Sequence, residues 1–503
     1  MIKFLQKKLA LIFDRYSRIG PLRQIGLNLY KLSLLIFIFL IKKEKNVKAI
    51  YLITDLNSSE FIVGRSDIDI LIIINSMSIE RELEFIDFYF KRWEKWFNFI
   101  FPFLGGAVDH YPYMFEDNFK LFQKTRRRYI ERRGKHIKNW NLIYGTDCRI
   151  DFGDDETELD GYYLRFCYEE FLVAIYLGVF RGEYDVRMMY RYGLSIMRMF
   201  FFFVNQNEAK DKNEYKDFLF SNGIDRDFLN NFFDLPEKKF VADDDLAITA
   251  IFYLIKIIEK ISEADSAVSG DYVEFKIIDN NLKVKNIPEV DMFVKSLAVS
   301  GLQSVYLSQI LNLDSHFLYL IISDDLDFPL FKRLASDIFD NLSKLKTLDK
   351  KIDIKLRPSM YANAPDIFPL FMTRKMMNYS KFLDYGFFLE AVAFKIKAKK
   401  LFGSDLEINI SKYRLRETGY FLNHDMYNLR IDYTYEDNVE RIKSCYMMRH
   451  QLLNEKNELY LDDVIVGYQK HFGPVGFDFD NKQKRYLFTR RYIKDVLLKD
   501  LDN

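Results

Sequence analysis

The chain has 503 residues, 49% hydrophobic and 29% charged, the balance of a soluble globular protein with room for roughly two to four domains. A net charge of +1 excludes a global field for gripping a nucleic-acid backbone, so a polymer substrate would need a local basic patch. Its three cysteines, Cys148, Cys167 and Cys445, are far apart and odd in number, which argues against a disulfide framework or a zinc site and fits a reducing, cytoplasmic location.

Residues 1–46 read as helices, with Gly20-Pro21 as a break. The apolar run Leu32 to Ile41 is short of the roughly 20 residues needed to span a bilayer, and no small-residue cleavage site follows it. It reads as a buried helix feeding a strand, so no membrane span is expected. Val47 to Ile53 has strand composition, and a loop from Thr54 to Val63 connects it to the run Gly64-Arg65-Ser66-Asp67-Ile68-Asp69-Ile70, which continues through Ile74. Side chains two apart on a strand point the same way, so Asp67 and Asp69 share one face while Ile68 and Ile70 turn toward a core. Adjacent carboxylates repel unless a cation lies between them, and a hard divalent ion bridging to phosphate oxygens suits such a pair. The plain alternative is an Asp-x-Asp that merely opens a strand at the surface.

A helix is expected from Ser78, its N-cap, to about Phe99, and Ala107 to Pro112 reads as a possible further strand. From Lys124 to Lys138 the chain is strongly basic; this is either a solvated helix face or a counter-charge for a triphosphate or an RNA acceptor. Trp140 to Asp147 closes this part, and long apolar helices follow, among them Tyr162 to Phe180 and Ala247 to Ile261, with a polar loop near Asn205 to Tyr215.

The second half repeats the first in outline. Ala49-Ile50-Tyr51-Leu52 recurs as Ser304-Val305-Tyr306-Leu307, Ile70 to Ile73 as Tyr319 to Ile322, and Val108 to Pro112 as Pro365 to Pro369. Leu142 to Asp147 recurs as Lys400 to Asp405, and Gly161 and Gly419 each lie 16 residues beyond the preceding Gly145 and Gly403. A helix, Pro329 to Leu345, follows the second strand as one follows the first. On this matching Ser66-Asp67-Ile68-Asp69 corresponds to Ser315-His316-Phe317-Leu318. One histidine cannot replace two carboxylates around magnesium, so the second copy reads as a scaffold or a substrate-binding unit.

Val47 to Ile74 resembles the signature of the polymerase-β-like nucleotidyltransferase superfamily, in which an apolar strand runs into Gly-Ser and an Asp-apolar-Asp pair opens the next strand. The Gly64 to Ile70 segment is most similar to minimal nucleotidyltransferases and antibiotic adenylyltransferases. The resemblance implies an α/β (α+β) fold with two nucleotidyltransferase-like mixed-sheet domains, each followed by a helical domain. The implied division is 1–46 N-terminal helices, 47–155 nucleotidyltransferase-like, 156–265 helical, 266–298 linker, 299–410 degenerate second copy and 411–503 C-terminal helices. It also implies Mg2+ bound by Asp67 and Asp69 and a nucleoside triphosphate, ATP being the expected one. A third carboxylate from a later strand activates a hydroxyl acceptor, and Asp109, 40 residues past Asp69, is the candidate. The acceptor is a small molecule, a protein side chain or an RNA end, the last disfavoured by the neutral net charge.

The chain departs from this pattern where Thr54-Asp55 stands in place of Gly-Ser. A side chain there obstructs the approach of backbone N–H groups to phosphates, and Asp55 adds a like charge, a repulsion on the order of 1 kcal/mol in water and more where partly buried. Ser58 and Ser66 are the remaining candidates for phosphate contacts. The departure opens a second expectation, a catalytically inactive member of this fold serving as nucleotide sensor or interaction scaffold.

Overall fold

The computed structural model describes residues 20–56, 68, 70–85, 92, 113–125, 140–150, 161–181, 184–205, 209, 211–235, 243–265, 272–273, 294, 301–309, 316–348, 367–379, 382, 398–405, 410–411 and 490. They form an α+β structure with two four-stranded mixed sheets. The first sheet comprises β1 (Val47–Leu52), β2 (Ile70–Ile74), β3 (Tyr113–Phe115) and β4 (Asn141–Gly145), in the order β3-β2-β1-β4. Helix α1 (Gly20–Ile41) precedes it, α2 (Ile79–Phe85) follows β2, and α3 (Glu116–Thr125) follows β3. Five helices come next: α4 (Gly161–Arg181), α5 (Val186–Asn205), α6 (Lys212–Ser221), α7 (Arg226–Phe233) and α8 (Asp244–Asp265). A short β5 (Tyr272–Val273) pairs with β10 (Ile410–Ser411). The second sheet holds β6 (Leu302–Gln309), β7 (His316–Ile322), β8 (Ile367–Thr373) and β9 (Ala398–Gly403), with α9 (Phe328–Leu348) after β7 and α10 (Arg374–Asn378) after β8.

The second sheet, ordered β8-β7-β6-β9, repeats the first strand for strand. In each, the first strand is antiparallel to both neighbours and the second is parallel to the third. The irregularities recur too: the register shifts between Val47 and Ala49 and again between Leu302 and Ser304. A second shift falls between Ile50 and Tyr51 and between Val305 and Tyr306. This pairing bears out the matches of Ala49–Leu52 with Ser304–Leu307 and of 142–147 with 400–405.

Two other matches are corrected by one residue. Leu52 pairs with Ile70 and Leu307 with Leu318, so Ile70 corresponds to Leu318, not Tyr319, and positions 67 and 69 correspond to Ser315 and Phe317. Likewise Ile73 pairs with Met114 and its counterpart Ile321 with Met372, so β3 matches β8 one residue later than the likeness of Pro112 to Pro369 implies. A run of isoleucines looks the same after a slip of one, whereas a hydrogen-bonded register does not.

The first sheet is buried on both sides, which is why β2 is five apolar residues without polar alternation. Ile50, Leu52, Ile70, Ile72 and Ile74 join the large core, which also takes in α1, α4, α5, α8 and the second sheet. Ala49, Tyr51, Leu71 and Ile73 face the other way and pack with Met114, Phe119 and Trp140. Helix α4 seals the edge of the second sheet: the Tyr168 hydroxyl donates to the Phe371 carbonyl at 2.6 Å and the Tyr176 hydroxyl to the Pro369 carbonyl at 2.7 Å. Edge strand β8 thereby gains partners for carbonyls that would otherwise be buried unpaired.

Two long helices extend slightly past their expected limits, 161–181 and 244–265. The polar stretch near 205–215 is partly helical, because Asp211 caps α6 by accepting from the backbone N–H groups of Asn213 and Glu214. Helix α1 is twice the length of its apolar run, 22 residues, and by length and apolarity it is able to cross a membrane. Among the described residues one of its faces is buried, where Tyr30, Leu34, Phe37 and Ile41 enter the core.

Candidate functional site

Among the sequence-predicted site residues, Thr54 and Asp55 are described, while Ser58, Ser66, Asp67, Asp69 and Asp109 lie outside the described residues. Thr54 is buried and Asp55 half-buried, two and three residues past the end of β1. Ile68, between the two aspartates in the chain, is fully buried in the same core as Ile70.

The described strands fix where the connecting segments attach. Because β1 is antiparallel to β2, with Leu52 opposite Ile70, the segment leaving β1 and the segment entering β2 join the sheet at one end. Strand β3 is parallel to β2, with Tyr113 opposite Ile72, so the segment entering β3 joins at that end as well. Strand β4 is antiparallel to β1 and opens with Asn141 opposite Leu52, so the basic run that ends at Lys138 leads into it there. Four strand ends thus meet at one end of the sheet, and the three connections that reach it carry Thr54-Asp55 together with Asp67 and Asp69, then Asp109, then the arginine-rich stretch.

One feature of this unit was not read from sequence. The segment after β4 folds back over the Tyr51 face of the sheet. The Tyr51 hydroxyl donates to Asp147 Oδ1 at 2.8 Å and accepts from the Cys148 N–H at 2.6 Å. The Arg149 guanidinium is forked onto the Asp147 carboxylate and also donates to the Trp140 carbonyl at 3.0 Å. Gln123 completes the attachment, donating to the Cys148 carbonyl at 3.0 Å and accepting from the Ile150 N–H at 2.7 Å. The hydrogen bonds from Arg149 hold the Asp147 carboxyl well below the usual carboxylate range, against a smaller upward push from burial. Burial pushes the Tyr51 phenol well above its ordinary value, and the Cys148 thiol is likewise pushed up by burial, which makes it a poor nucleophile.

In the second sheet Tyr306 keeps the place of Tyr51, but its hydroxyl donates to the Ser404 carbonyl at 3.0 Å. Asp405, the counterpart of Asp147, is instead paired with Lys400. The available signal was the repeated Tyr together with Gly-Thr-Asp and Gly-Ser-Asp; that the tyrosine reaches this segment depends on a pairing between strands 90 residues apart.

A third constellation ties the C-terminal part of the chain to this unit. Arg490, fully buried, donates to both oxygens of Glu82 at 2.6 Å, to Asp117 at 3.1 Å and to the Asn118 side chain. Among the described residues no group of three or more His, Cys, Asp or Glu side chains is arranged to hold a metal ion. Comparison of the chain with protein-family models, curated proteins and solved structures finds no match.

Proposed function

We propose that the protein is a magnesium-dependent nucleotidyltransferase that moves a nucleoside monophosphate from a triphosphate, ATP in the first instance, to a hydroxyl acceptor. The observation that carries this reading is the meeting of three connections at one end of the first sheet, which supports bringing Asp67, Asp69, Asp109 and the basic run 124–138 to a common site. The burial of Ile68 beside Ile70 supports it further, since it leaves positions 67 and 69 the opposite parity. Two carboxylates are the donor type that a hard ion takes, so Asp67 and Asp69 would hold Mg2+. The ion, when bound, neutralises charge on the phosphate oxygens. Asp109 would accept the proton of the acceptor hydroxyl, and the arginines would orient the triphosphate. The reading includes a cytoplasmic location and an acceptor that is a small molecule, a protein or, less favoured, an RNA end.

A buried threonine side chain at the position where the resemblance expects glycine favours a second reading, a nucleotide-binding protein of this fold without catalysis. One experiment addresses both. The purified protein is titrated with each nucleoside triphosphate and Mg2+ by calorimetry, beside Asp67→Asn/Asp69→Asn, and pyrophosphate release is then followed in the presence of cell extract. The enzyme predicts metal-dependent binding that the double variant loses, together with pyrophosphate. Binding without pyrophosphate supports the second reading, and no binding of any triphosphate overturns both.

A further inference from the structure

Helix α1 presents two apolar faces. The stripe of Tyr30, Leu34, Phe37 and Ile41 is sunk in the core beside β1 and β2. The opposite stripe, Ile25, Leu29, Leu32, Leu35, Ile36 and Phe39, is 41% to 63% exposed. Single exposed leucines are ordinary on a protein surface, but six large apolar side chains along one helix face form a contiguous patch of the kind that marks an interaction site.

The surroundings of the patch are basic. Between residues 20 and 46 the chain carries Arg23, Lys31, Lys42, Lys43 and Lys45 against the single acid Glu44, and Glu44 is paired with Arg92. The ammonium groups of Lys42 and Lys43 lie 4.9 and 4.3 Å from the centre of the Phe39 ring, at the end of the apolar stripe. An apolar stripe flanked by exposed lysines complements a bilayer interface, where acyl chains meet anionic headgroups.

The buried stripe decides how the helix can meet a membrane. A cleavable leader cannot supply Tyr30, Phe37 and Ile41 to the core, because its removal would leave β1 and β2 uncovered. A helix that crosses the bilayer cannot keep that same face packed on a sheet. Its C-terminal end is also held to the first sheet, where the Tyr144 hydroxyl donates to the Lys42 carbonyl at 3.3 Å. What remains is docking in the plane of the surface, with the folded unit serving as the polar side of an amphipathic helix.

We infer that the outer face of α1, with Lys42, Lys43 and Lys45, docks this protein on an anionic membrane surface. The test is co-sedimentation of the full chain with vesicles of phosphatidylcholine plus phosphatidylserine and with vesicles of phosphatidylcholine alone. The proposal expects binding to the first, weakened by salt, and at least about tenfold weaker binding to the second. Leu32→Gln/Leu35→Gln/Ile36→Gln should abolish binding with thermal stability unchanged, since these side chains are exposed. Lys42→Gln/Lys43→Gln/Lys45→Gln should weaken it by about a hundredfold, on the order of fivefold for each lysine. The proposal is overturned if the unmutated protein stays in the supernatant with both vesicles. It is equally overturned if light scattering shows a dimer that the leucine variant dissociates while vesicle binding is absent, which assigns the face to a second copy of the chain.

Discussion

Gly145 and Gly403 occupy the same place in the two sheets and are held there by the same contact. Their φ angles are +86° and +85°. A Cβ on Gly145 would lie 2.0 Å from the Lys48 carbonyl oxygen, and one on Gly403 would lie 1.9 Å from that of Gln303. Each glycine ends the strand that pairs with the first strand of its sheet, and the following N–H groups of Thr146 and Ser404 bond those same carbonyls.

Alanine at either position should therefore cost both left-handed strain and a displacement of backbone, about 2 kcal/mol or more. Gly223 supplies the control, with a φ of +83° and nothing within 4 Å of its missing Cβ. Its alanine variant should lose only the strain, about 1 kcal/mol. Chemical denaturation of the three variants measures this, and equal losses at all three would show that the carbonyl contact is immaterial.

Removing the hydroxyls of Tyr168 and Tyr176 by substitution with Phe leaves two carbonyls of an edge strand without partners. Each change should destabilise the chain by about 1 to 3 kcal/mol, the cost of an unsatisfied buried acceptor. Because both hydroxyls join α4 to β8, proteolysis near residues 367–373 should accelerate in the double variant, and an unchanged cleavage rate would disprove the edge-sealing role.

Arg490→Met strands the fully buried Glu82 carboxylate without its bidentate partner. The expected loss is about 3 to 5 kcal/mol, and Arg490→Met/Glu82→Gln should recover a large part of it. A double-mutant cycle read by melting temperature decides, additivity of the two single changes being the contrary result.

The Tyr51–Asp147–Arg149 cluster acts at the two ends of the pH scale. The Asp147 carboxyl is depressed in the folded state, so its contribution is present above the ordinary aspartate value, about 4, and is lost as pH falls through the folded value. Asp147→Asn should flatten the acid limb of a stability profile below about pH 4. The Tyr51 phenol is raised by burial, so its contribution is complete below the ordinary tyrosine value, about 10, and declines as pH rises through the folded value. Tyr51→Phe should flatten the alkaline limb and, by removing a hydroxyl that donates to Asp147, soften the acid limb less than Asp147→Asn does.

Much of the fold was legible because its strands are short apolar runs bounded by turn residues, and because both copies carry a tyrosine and a glycine as landmarks. Those landmarks sit at bulges and positive-φ turns, where few residue types serve, so the matches of 49–52 and 142–147 fell in true register. The isoleucine-rich β2 offers no such mark, and its residues match the second copy as well one residue out of register as in it. Strand β3 is described at Tyr113–Phe115, and the strand expected over 107–112 lies outside the described residues. The second face of α1 is hidden in the sequence for another reason: polar residues such as Gln24, Lys31 and Ser33 interrupt the run in sequence yet fall between two apolar stripes on the helix. Of the candidate site, residue types and spacing pointed to Asp67 and Asp69, whereas the shared sheet end depends on strand directions that no single segment encodes.

The sealing of β8 by α4 has a consequence for biosynthesis. Tyr168 and Tyr176 meet carbonyls 203 and 193 residues further along the chain. At ribosomal rates of about 5 to 20 residues per second, α4 waits on the order of 10 to 40 seconds for the strand it covers. During that interval the face of α4 that ends against β8 lacks its final cover, an apolar surface suited to chaperone capture. The N-terminal unit therefore cannot reach its final packing as it leaves the ribosome, and folding of the two halves is completed together.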